Sequence, residues 1–290
     1  MAAASETETL RALLRAQFPD LAGLPLTPVP SGGTDNAMVR VGMDLVARLP
    51  KDARAAALLK KEAHWLDGLP DLPLAVPRIR GRGQASGAFP HNWLLLGWLP
   101  GAPATLGSLG DQVTAARMLA DFLRALWQMP PTLPTSPENN RGAPLASRDA
   151  MTRKAIAGVA DLFEADRLLA LWQVGLDAPP WDGTPRAFHG DLQAGNLLAE
   201  SGRLTAVIDW GLAGCGDPAA DLTVAWMYLQ AEGRTAFRAA LAPDDTLWRR
   251  GRALSVYAAT IALSYYRNGR NPAVADRTAW ACEQLLQDVP

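Results

Sequence analysis

Two acidic segments on either side of a predicted hairpin constrain this chain more than any other feature of its sequence. Residues 189–196 read HGDLQAGN, and residues 207–211 read VIDWG. A turn at Ser201-Gly202 separates two short apolar runs between them, as is typical of a hairpin. The oxygen-bearing side chains of these segments are Asp191, Asn196 and Asp209. We therefore expect a fold that brings the two segments to one end of the hairpin.

These side chains are the ones that phosphoryl transfer requires. A carboxylate orients the attacking hydroxyl, and oxygen ligands hold the Mg²⁺ that offsets charge on the phosphates. In protein kinases an H-R-D sequence is followed by Asn five positions after the Asp, and then by D-F-G. Here Asn196 lies five positions after Asp191, and Asp209 precedes Trp-Gly. Either aspartate alone would suit a surface or capping position, but the order and spacing of the set predict a phosphotransferase site.

The first hundred residues predict a small, mostly antiparallel sheet with one long helix. A short amphipathic helix is expected to begin near Ser5, which forms a capping box with Glu8. Asp52 can cap a longer helix that ends at Gly68. The expected strands lie within residues 25–50, 76–82 and 92–99.

Beyond Pro100-Gly101 the chain becomes mainly helical, interrupted by the hairpin. The proline-rich residues 129–144 indicate a surface loop. The pattern predicts a bilobal α+β fold, with an N-terminal lobe at 1–99 and a larger helical lobe at 100–290. The expected helices of that second lobe lie at 110–128, 146–174, 218–230, 234–241, 246–267 and 273–287.

Composition excludes several classes of protein. The 28 basic and 29 acidic side chains give a net charge of −1, which leaves no basic field for a nucleic acid. Two cysteines are too few for a disulfide scaffold or a zinc finger. No run of 18 apolar residues and no signal peptide is present, so we expect no membrane partner and a cytoplasmic location.

The motifs resemble those of the aminoglycoside phosphotransferase family, antibiotic and small-molecule kinases that share the protein-kinase-like fold. The similarity extends through residues 31–50, 61–66 and 216–222, and so covers nearly the whole chain. The resemblance implies that Asp191 is the catalytic base, and that Asn196 and Asp209 bind Mg²⁺. It also implies a nucleoside triphosphate, ATP or GTP, as co-substrate.

The same resemblance assigns nucleotide contacts to the N-terminal lobe. The turn at 31–36 would cover the triphosphate, and residues 94–99 would form the hinge that meets the base. Arg48 stands where the family usually has a phosphate-binding lysine, and its guanidinium can bridge phosphate oxygens and pair with Glu62. The usual His of H-G-D-x-H is Gln193. The nucleotide-contact candidates are Ser31, Gly32, Gly33, Arg48, Glu62, Leu96 and Trp98.

Several of these residues also have a purely structural interpretation. Glu62 could be a solvated helix residue, and Trp98 could belong to the core instead of facing the base. We expect His189 to hold backbone and Asp217 to cap a helix at Pro218. Asp221 could brace the catalytic loop through backbone donors.

The sequence lacks the motifs, at the required spacing, of three other enzyme classes. No lysine follows a glycine, which excludes a Walker A loop, and no G-x-S-x-G elbow exists. Residues 214–219 fit G-x-G-x-x-A, but no second parallel strand follows. We predict a Mg²⁺-dependent kinase that transfers the γ-phosphoryl of ATP or GTP to a small-molecule hydroxyl. The alternative is a nucleotide-binding pseudokinase without turnover.

The sequence leaves the acceptor open. Residues 182–290 hold twelve acidic and ten basic side chains, so no broad anionic field would attract a polycationic aminoglycoside. That lowers an aminoglycoside-resistance role without excluding it. A macrolide, another sugar-like metabolite or a choline-like alcohol fits the same motifs.

Overall fold

The computed structural model describes residues 2–30, 35–87, 89–105, 109–130 and 141–288. Within it, the chain divides into two compact units. Unit 1 comprises residues 1–102 and 205–212, and unit 2 comprises residues 103–204 and 213–290. The predicted phosphate-loop residues Ser31, Gly32 and Gly33 lie outside the described residues, as does most of the predicted loop at 129–144.

Unit 1 contains a five-stranded antiparallel sheet in the order β1-β2-β3-β5-β4. Its helices are α1 (Ala2–Gln17) and α2 (Ala53–Gly68). Its strands are β1 (Leu26–Pro28), β2 (Asn36–Val41), β3 (Leu45–Pro50), β4 (Ile79–Gly83) and β5 (Trp93–Gly97).

The core of unit 1 joins α1 to the sheet. Leu10, Leu13 and Leu14 recur at helical spacing and pack with apolar side chains of β2, β3 and β5. Helix α1 starts at Ala2, so the predicted start near Ser5 is wrong. The apolar stripe extends over the last two turns only, and packing there stabilises the helix whether or not its first turn is capped.

Helix α2 follows its sequence signals closely. The Asp52 side chain accepts a hydrogen bond from Ala55 N at 2.7 Å, which confirms the predicted cap. Its buried face includes Leu59, Ala63 and Leu66. Glu62 lies on that same face and is completely buried, so this helix carries a charge into the unit's interior.

Residues 205–212 join unit 1 although they come late in the chain. Ala75 N donates to Thr205 O at 3.0 Å, and Val207 N donates to Ala75 O at 2.9 Å. The Trp210 ring stacks against Trp65 of α2, with centroids 6.5 Å apart. These contacts explain why unit 1 is not one continuous segment, and they fix the backbone on both sides of Asp209.

Unit 2 is mainly helical. Its α-helices are α3 (Gln112–Trp127), α4 (Asp149–Ala157), α5 (Ala165–Leu176), α6 (Val224–Met227), α7 (Ala231–Leu241), α8 (Asp245–Tyr266) and α9 (Pro272–Gln287). The remaining strands are β6 (Ala102–Pro103), β7 (Arg186–Phe188), β8 (Leu197–Glu200), β9 (Arg203–Val207), which begins in unit 2, and β10 (Gly214–Gly216). Strands β7 and β10 pair antiparallel, and Cys215 lies opposite Ala187.

Helix α8 is the centre of unit 2, where it packs against α4, α5 and α9 and against a 3-10 turn at Pro218–Thr223. None of the helices in the described part of the chain has the length and apolarity needed to span a bilayer.

Two predicted helices of unit 2 differ from the structure. The expected helix at 146–174 is two helices, because α4 ends at Ala157 and α5 begins only at Ala165. Gly158 breaks the run, and a Cβ there would lie 2.8 Å from Ser264 Oγ of α8. The expected helix at 218–230 is the 3-10 turn followed by the single turn of α6. The apolar pattern is shared by both kinds of helix, so it does not distinguish them.

Candidate active site

The loop after β7 holds Asp191 in a defined orientation within unit 2. Asn196 Nδ2 donates to Asp191 Oδ2 at 2.8 Å and to the Asp191 carbonyl at 2.9 Å. Gln193 Nε2 donates to the same Oδ2 at 3.2 Å. Gln193 therefore supplies a neutral donor at the position where the family usually has histidine. Only one carboxylate oxygen is held by these amides, and the Asp191 side chain stays partly exposed.

Buried groups behind the loop fix its backbone. His189 Nδ1 accepts a hydrogen bond from Asp191 N at 3.2 Å, and the His189 side chain is fully buried. This agrees with the expected backbone-holding role. Gly190 has a φ of 79°, a left-handed conformation that glycine adopts without steric cost. His189 and Gly190 thus fix the backbone conformation of the loop.

Asp221 braces the loop, as expected. Its two carboxylate oxygens accept hydrogen bonds from His189 N at 2.9 Å and Gly190 N at 2.7 Å. Burial raises the pKa of Asp221 to about 7, against the opposing effect of these two donors, and the nearby Asp191 charge raises it further. The carboxyl group that braces the loop is therefore one whose protonation changes with pH near neutrality.

Asp217 has the predicted capping role and one further contact. It accepts a hydrogen bond from Ala219 N at 3.0 Å, and it forms a buried ion pair with Arg250 at 2.8 Å. Its charge is therefore neutralised inside unit 2.

In unit 1, Arg48 lies between two carboxylates. One guanidinium nitrogen is 2.6 Å from Glu62 Oε1, and the other is 3.2 Å from Asp209 Oδ1. Trp210 N also donates to Glu62 Oε1, at 3.3 Å. Because Glu62 is fully buried and paired, the alternative that it is a solvated helix residue is wrong.

The charges in this cluster stabilise one another. Burial opposes the charge on Arg48, but Glu62 and Asp209 outweigh that effect and hold the pKa of Arg48 above its ordinary value. Burial raises the pKa of Glu62, and the Arg48 guanidinium opposes that rise. Since Arg48 remains charged and lies 2.6 Å away, it is the partner that keeps the buried Glu62 carboxylate in place.

Asp209 has the chemistry expected of a metal ligand. Its side chain is 47% exposed, and its backbone φ of 66° places it in the left-handed region. Aspartate tolerates this conformation better than most residues do. Among the described residues no cluster of three or more His, Cys, Asp or Glu side chains could hold a metal by itself. Mg²⁺ fits such a donor set, because it is commonly held by one or two carboxylates together with substrate phosphates and waters.

The predicted hinge residues belong to β5 and its C-terminal end. Leu96 is buried in the sheet between Val46 and Ile79. Trp98 N donates to Asp44 O at 2.7 Å, and the Arg40 guanidinium lies 4.6 Å from the centroid of the Trp98 ring. The Trp98 side chain is only partly buried, so it lies outside the main core.

Sequence reasoning missed three arginines in the surroundings of Asp191. Arg141 Nη2 lies 3.6 Å from Asp191 Oδ1. Arg148 donates to the Arg141 carbonyl at 3.1 Å. Burial lowers the pKa of Arg277 on α9, and the charge of Asp191 opposes that effect. No spacing signal could have identified them, because they come from separate segments of a chain in which arginine is abundant.

A family model and a known relative each match most of this chain. The model of the family described as APH, phosphotransferase enzyme family, matches residues 26–254. Viomycin phosphotransferase of Streptomyces vinaceus is 29% identical over 259 residues, which are 82% of this chain and 87% of the relative.

Solved structures show the same fold. The GDP and kanamycin complex of the aminoglycoside phosphotransferase APH(2″)-IIIa superposes with a TM-score of 0.71 at 21% identity, covering 95% of this chain and 97% of that one. The apoenzyme of macrolide 2′-phosphotransferase MphH from Brachybacterium faecium gives 0.61 at 25% identity, covering 94% and 96%. The predicted α+β, protein-kinase-like fold is confirmed.

Proposed function

This chain belongs to the phosphotransferase enzyme family, and we propose that it transfers the γ-phosphoryl group of ATP or GTP to a hydroxyl group of a small molecule. The predicted family and the prediction that the chain is a phosphotransferase are confirmed. The nucleotide, the metal and the acceptor hydroxyl are proposals. The observation that supports them is the fixed orientation of the Asp191 carboxylate, whose Oδ2 accepts hydrogen bonds from the side chains of Asn196 and Gln193.

Asp191 is proposed to orient the acceptor hydroxyl and take its proton. The attacking group is a neutral alcohol, which gains nucleophilicity as its proton moves to a carboxylate late in the transfer. The amide donors of Asn196 and Gln193 fix the plane of the carboxylate. Arg141 Nη2 lies 3.6 Å from the other carboxylate oxygen, Oδ1.

Asp209 and the Oδ1 atom of Asn196 are proposed as the oxygen ligands of Mg²⁺. Both Asn196 hydrogen bonds described above use Nδ2, so its oxygen is not consumed by them. When bound, Mg²⁺ would supply positive charge to the phosphate oxygens. The residues offer hard oxygen donors, which that ion prefers.

Arg48 is proposed to bind phosphate oxygens of the nucleotide, with Glu62 as its orienting partner. The guanidinium has five N–H donors, and its contacts with Glu62 and Asp209 leave donors for a phosphate. Ser31, Gly32 and Gly33 are proposed to cover the triphosphate, and Leu96 and Trp98 to contact the base. These assignments rest on the position of each residue in the motif.

We propose that the acceptor is either an antibiotic of the type that antibiotic kinases phosphorylate or a metabolite with a similar hydroxyl group. The experiment is a nucleotide-consumption screen of the purified protein with Mg²⁺, run separately with ATP and GTP. Aminoglycosides, macrolides, viomycin-type peptides and metabolic alcohols serve as acceptors, and Asp191→Asn is measured beside the wild type. Acceptor-dependent consumption that the variant loses supports the proposal. Nucleotide binding without consumption in any arm identifies a pseudokinase instead.

A further inference from the structure

A second arginine of unit 1, Arg40, lies on the same face of the sheet as the nucleotide-contact candidates Arg48 and Leu96. The residues of β2, β3 and β5 that pack with α1 on the other face are Val39, Val41, Ala47 and Leu95. Side chains alternate between the two faces of a strand, which places Arg40 opposite α1. Arg40 pairs with Val46 across the strands, and Val46 pairs with Leu96. Arg40 is therefore at the end of this face that Leu96 occupies.

The Arg40 guanidinium contacts Trp98, the other candidate for a contact with the base. Its carbon lies 4.6 Å from the centroid of the Trp98 ring, and Nη2 donates to the Met43 carbonyl at 2.8 Å. Both side chains are partly exposed. Neither contact is with an anion, and the hydrogen bond to Met43 uses one of five N–H donors. A base that contacts Trp98 would therefore meet guanidinium donors beside it.

The backbone at residues 97–100 offers few donors of its own. The N–H groups of Gly97 and Trp98 already donate to carbonyls elsewhere in unit 1, at 2.8 and 2.7 Å. Pro100 has no N–H group. The carbonyls of Trp98 and Leu99, in contrast, accept no hydrogen bond from the described residues. This segment therefore offers a base mainly hydrogen-bond acceptors.

The two purine bases differ in what they require from such surroundings. Guanine presents two acceptors, O6 and N7, on one edge, and its N1–H and N2 amino groups are donors. Adenine presents N7 as an acceptor beside the N6 amino group, which is a donor. A guanidinium has donors only, so it matches the O6 and N7 pair and opposes the N6 amino group. Backbone carbonyls without hydrogen bonds match the donors of guanine.

From this geometry we propose that Arg40 selects the nucleotide, by donating to O6 and N7 of a guanine base that contacts Trp98, and that the co-substrate is therefore GTP. The inference rests on the proposed function and deepens it, because it names the nucleotide and the residue that distinguishes it. Paired donation from arginine to O6 and N7 is the commonest specific contact that proteins make with guanine in DNA. The contact with Trp98 and the bond to Met43 hold the guanidinium in place before the base arrives.

The test compares GDP, ADP and inosine diphosphate by calorimetry in the presence of Mg²⁺, since diphosphates bind without turnover. Inosine diphosphate keeps O6 and N7 and lacks the N2 amino group. Wild type is compared with Arg40→Met, and Arg15→Met is the matched control, an exposed arginine on α1. We expect wild type to bind GDP about tenfold or more tightly than ADP. Arg40→Met should weaken GDP and inosine diphosphate by a similar factor and ADP by less than about twofold. Arg15→Met should change none of the three affinities.

A second variant, Arg40→Gln, tests the hydrogen-bond pattern directly. The glutamine amide has a donor and an acceptor, which match N7 and the N6 amino group of adenine. It can also still donate to a carbonyl, so the variant keeps the kind of contact that Arg40 makes with Met43. We expect the ratio of GDP affinity to ADP affinity to fall at least about tenfold, with ADP bound as tightly as in wild type or more tightly.

Several results would overturn the inference. ADP bound as tightly as GDP by wild type would remove the guanine preference, and no binding of any of the three diphosphates would remove the base site. Equal losses of GDP and ADP in Arg40→Met would show that Arg40 serves the phosphates or the fold and not the base. An unchanged affinity ratio in both Arg40 variants would assign any preference to other residues.

The proposed function is judged separately, by nucleotide consumption in the acceptor screen. A preference for GDP that depends on Arg40, without consumption of ATP or GTP in any arm, would uphold the guanine contact and reject the kinase proposal. Acceptor-dependent consumption with ATP alone would do the reverse.

Discussion

The two units hold their candidate functional groups by different forces. In unit 1, Arg48 is held by opposite charges, Glu62 on one side and Asp209 on the other. In unit 2, Asp191 is oriented mainly by neutral amide donors from Asn196 and Gln193. The first arrangement keeps a cation charged, as phosphate binding needs, and the second fixes the orientation of a carboxylate.

The difference predicts distinct responses to substitution. Removing a charge in unit 1 leaves another charge buried without its partner, so stability and binding should change together. Removing the charge of Asp191 breaks a 3.6 Å ion pair with the partly exposed Arg141, which should cost little, so we expect catalysis to change more than stability. The predictions below test that separation, from the largest expected effect to the smallest.

The first prediction concerns Asp209. We expect Asp209→Asn to remove detectable Mg²⁺-dependent turnover, because an amide is a much weaker ligand than a carboxylate for a hard dication. Asparagine is chosen over alanine because it tolerates the left-handed backbone at φ 66°. Turnover is measured over a Mg²⁺ titration, with circular dichroism as the control for folding. Normal Mg²⁺-dependent turnover in a folded variant would remove Asp209 from the metal site.

The second prediction concerns Asp191. Asp191→Asn should lower kcat by roughly 10² to 10⁴, the usual contribution of a positioned acid or base, while the nucleotide Kd stays the same. Asp166→Asn, an exposed change on α5, is the matched control and should leave both values unaltered. Both are measured on one preparation, with the acceptor found in the screen. Survival of kcat within a few-fold would make Asp191 structural.

The third prediction separates the two roles of Arg48. Arg48→Met leaves Glu62 buried and unpaired, so we expect the free energy of unfolding to fall by about 3–5 kcal/mol. The double variant Arg48→Met/Glu62→Gln removes both charges and should regain most of that loss. Nucleotide affinity should stay weak in both, because the phosphate-binding guanidinium is absent from both.

Urea unfolding and calorimetric nucleotide binding measure these two effects. The control is Arg82→Met, which breaks an exposed ion pair with Asp67 and should cost less than about 1 kcal/mol. Recovery of nucleotide affinity in the double variant would show that Arg48 acts only as the partner of Glu62.

The sequence predicted the locally encoded part of the site well. The 189–196 loop, the Asp217 cap and the Asp221 brace all depend on residues close to recognisable turns or prolines. Pairing of Arg48 with Glu62 followed from the resemblance, because strand and helix spacing alone do not fix which side chains meet. Within the 189–196 loop and at the Asp217 cap, the donors and acceptors lie at most five residues apart, so this hydrogen bonding is readable from the sequence. The Asp221 brace joins segments about 30 residues apart, and the prediction of it followed from the motif.

The remaining features depend on contacts between distant segments. Arg141 and Arg148, which are linked by a hydrogen bond near Asp191, come from a loop and a 3-10 turn that no sequence periodicity connects to the 189–196 loop. The pairing of β7 with β10 was missed because each strand has three residues and β10 is two-thirds glycine. Short strands of this kind are stabilised by their partner and not by intrinsic propensity.

The last and smallest prediction compares the buried carboxyls of the two units under a change of pH. Burial raises the pKa of Asp221 from an unfolded value of 3.8 to about 7. Between these values the folded protein binds a proton that the unfolded chain does not. The contribution of Asp221 to stability is therefore complete below about pH 4 and is lost as the pH rises to 7, by at most about 1.4 kcal/mol per pH unit.

Asp221→Asn should remove this dependence, so the free energy of unfolding should fall less steeply from pH 4 to pH 7 than in the wild type. Glu62 has a pKa raised in the same direction and remains in the variant, so part of the slope should persist. Urea unfolding at each pH measures both slopes. An identical slope in wild type and variant would mean that the hydrogen bonds from His189 N and Gly190 N keep Asp221 ionised in the folded protein, and that the loop brace, like the Arg48 cluster, is held by a full negative charge.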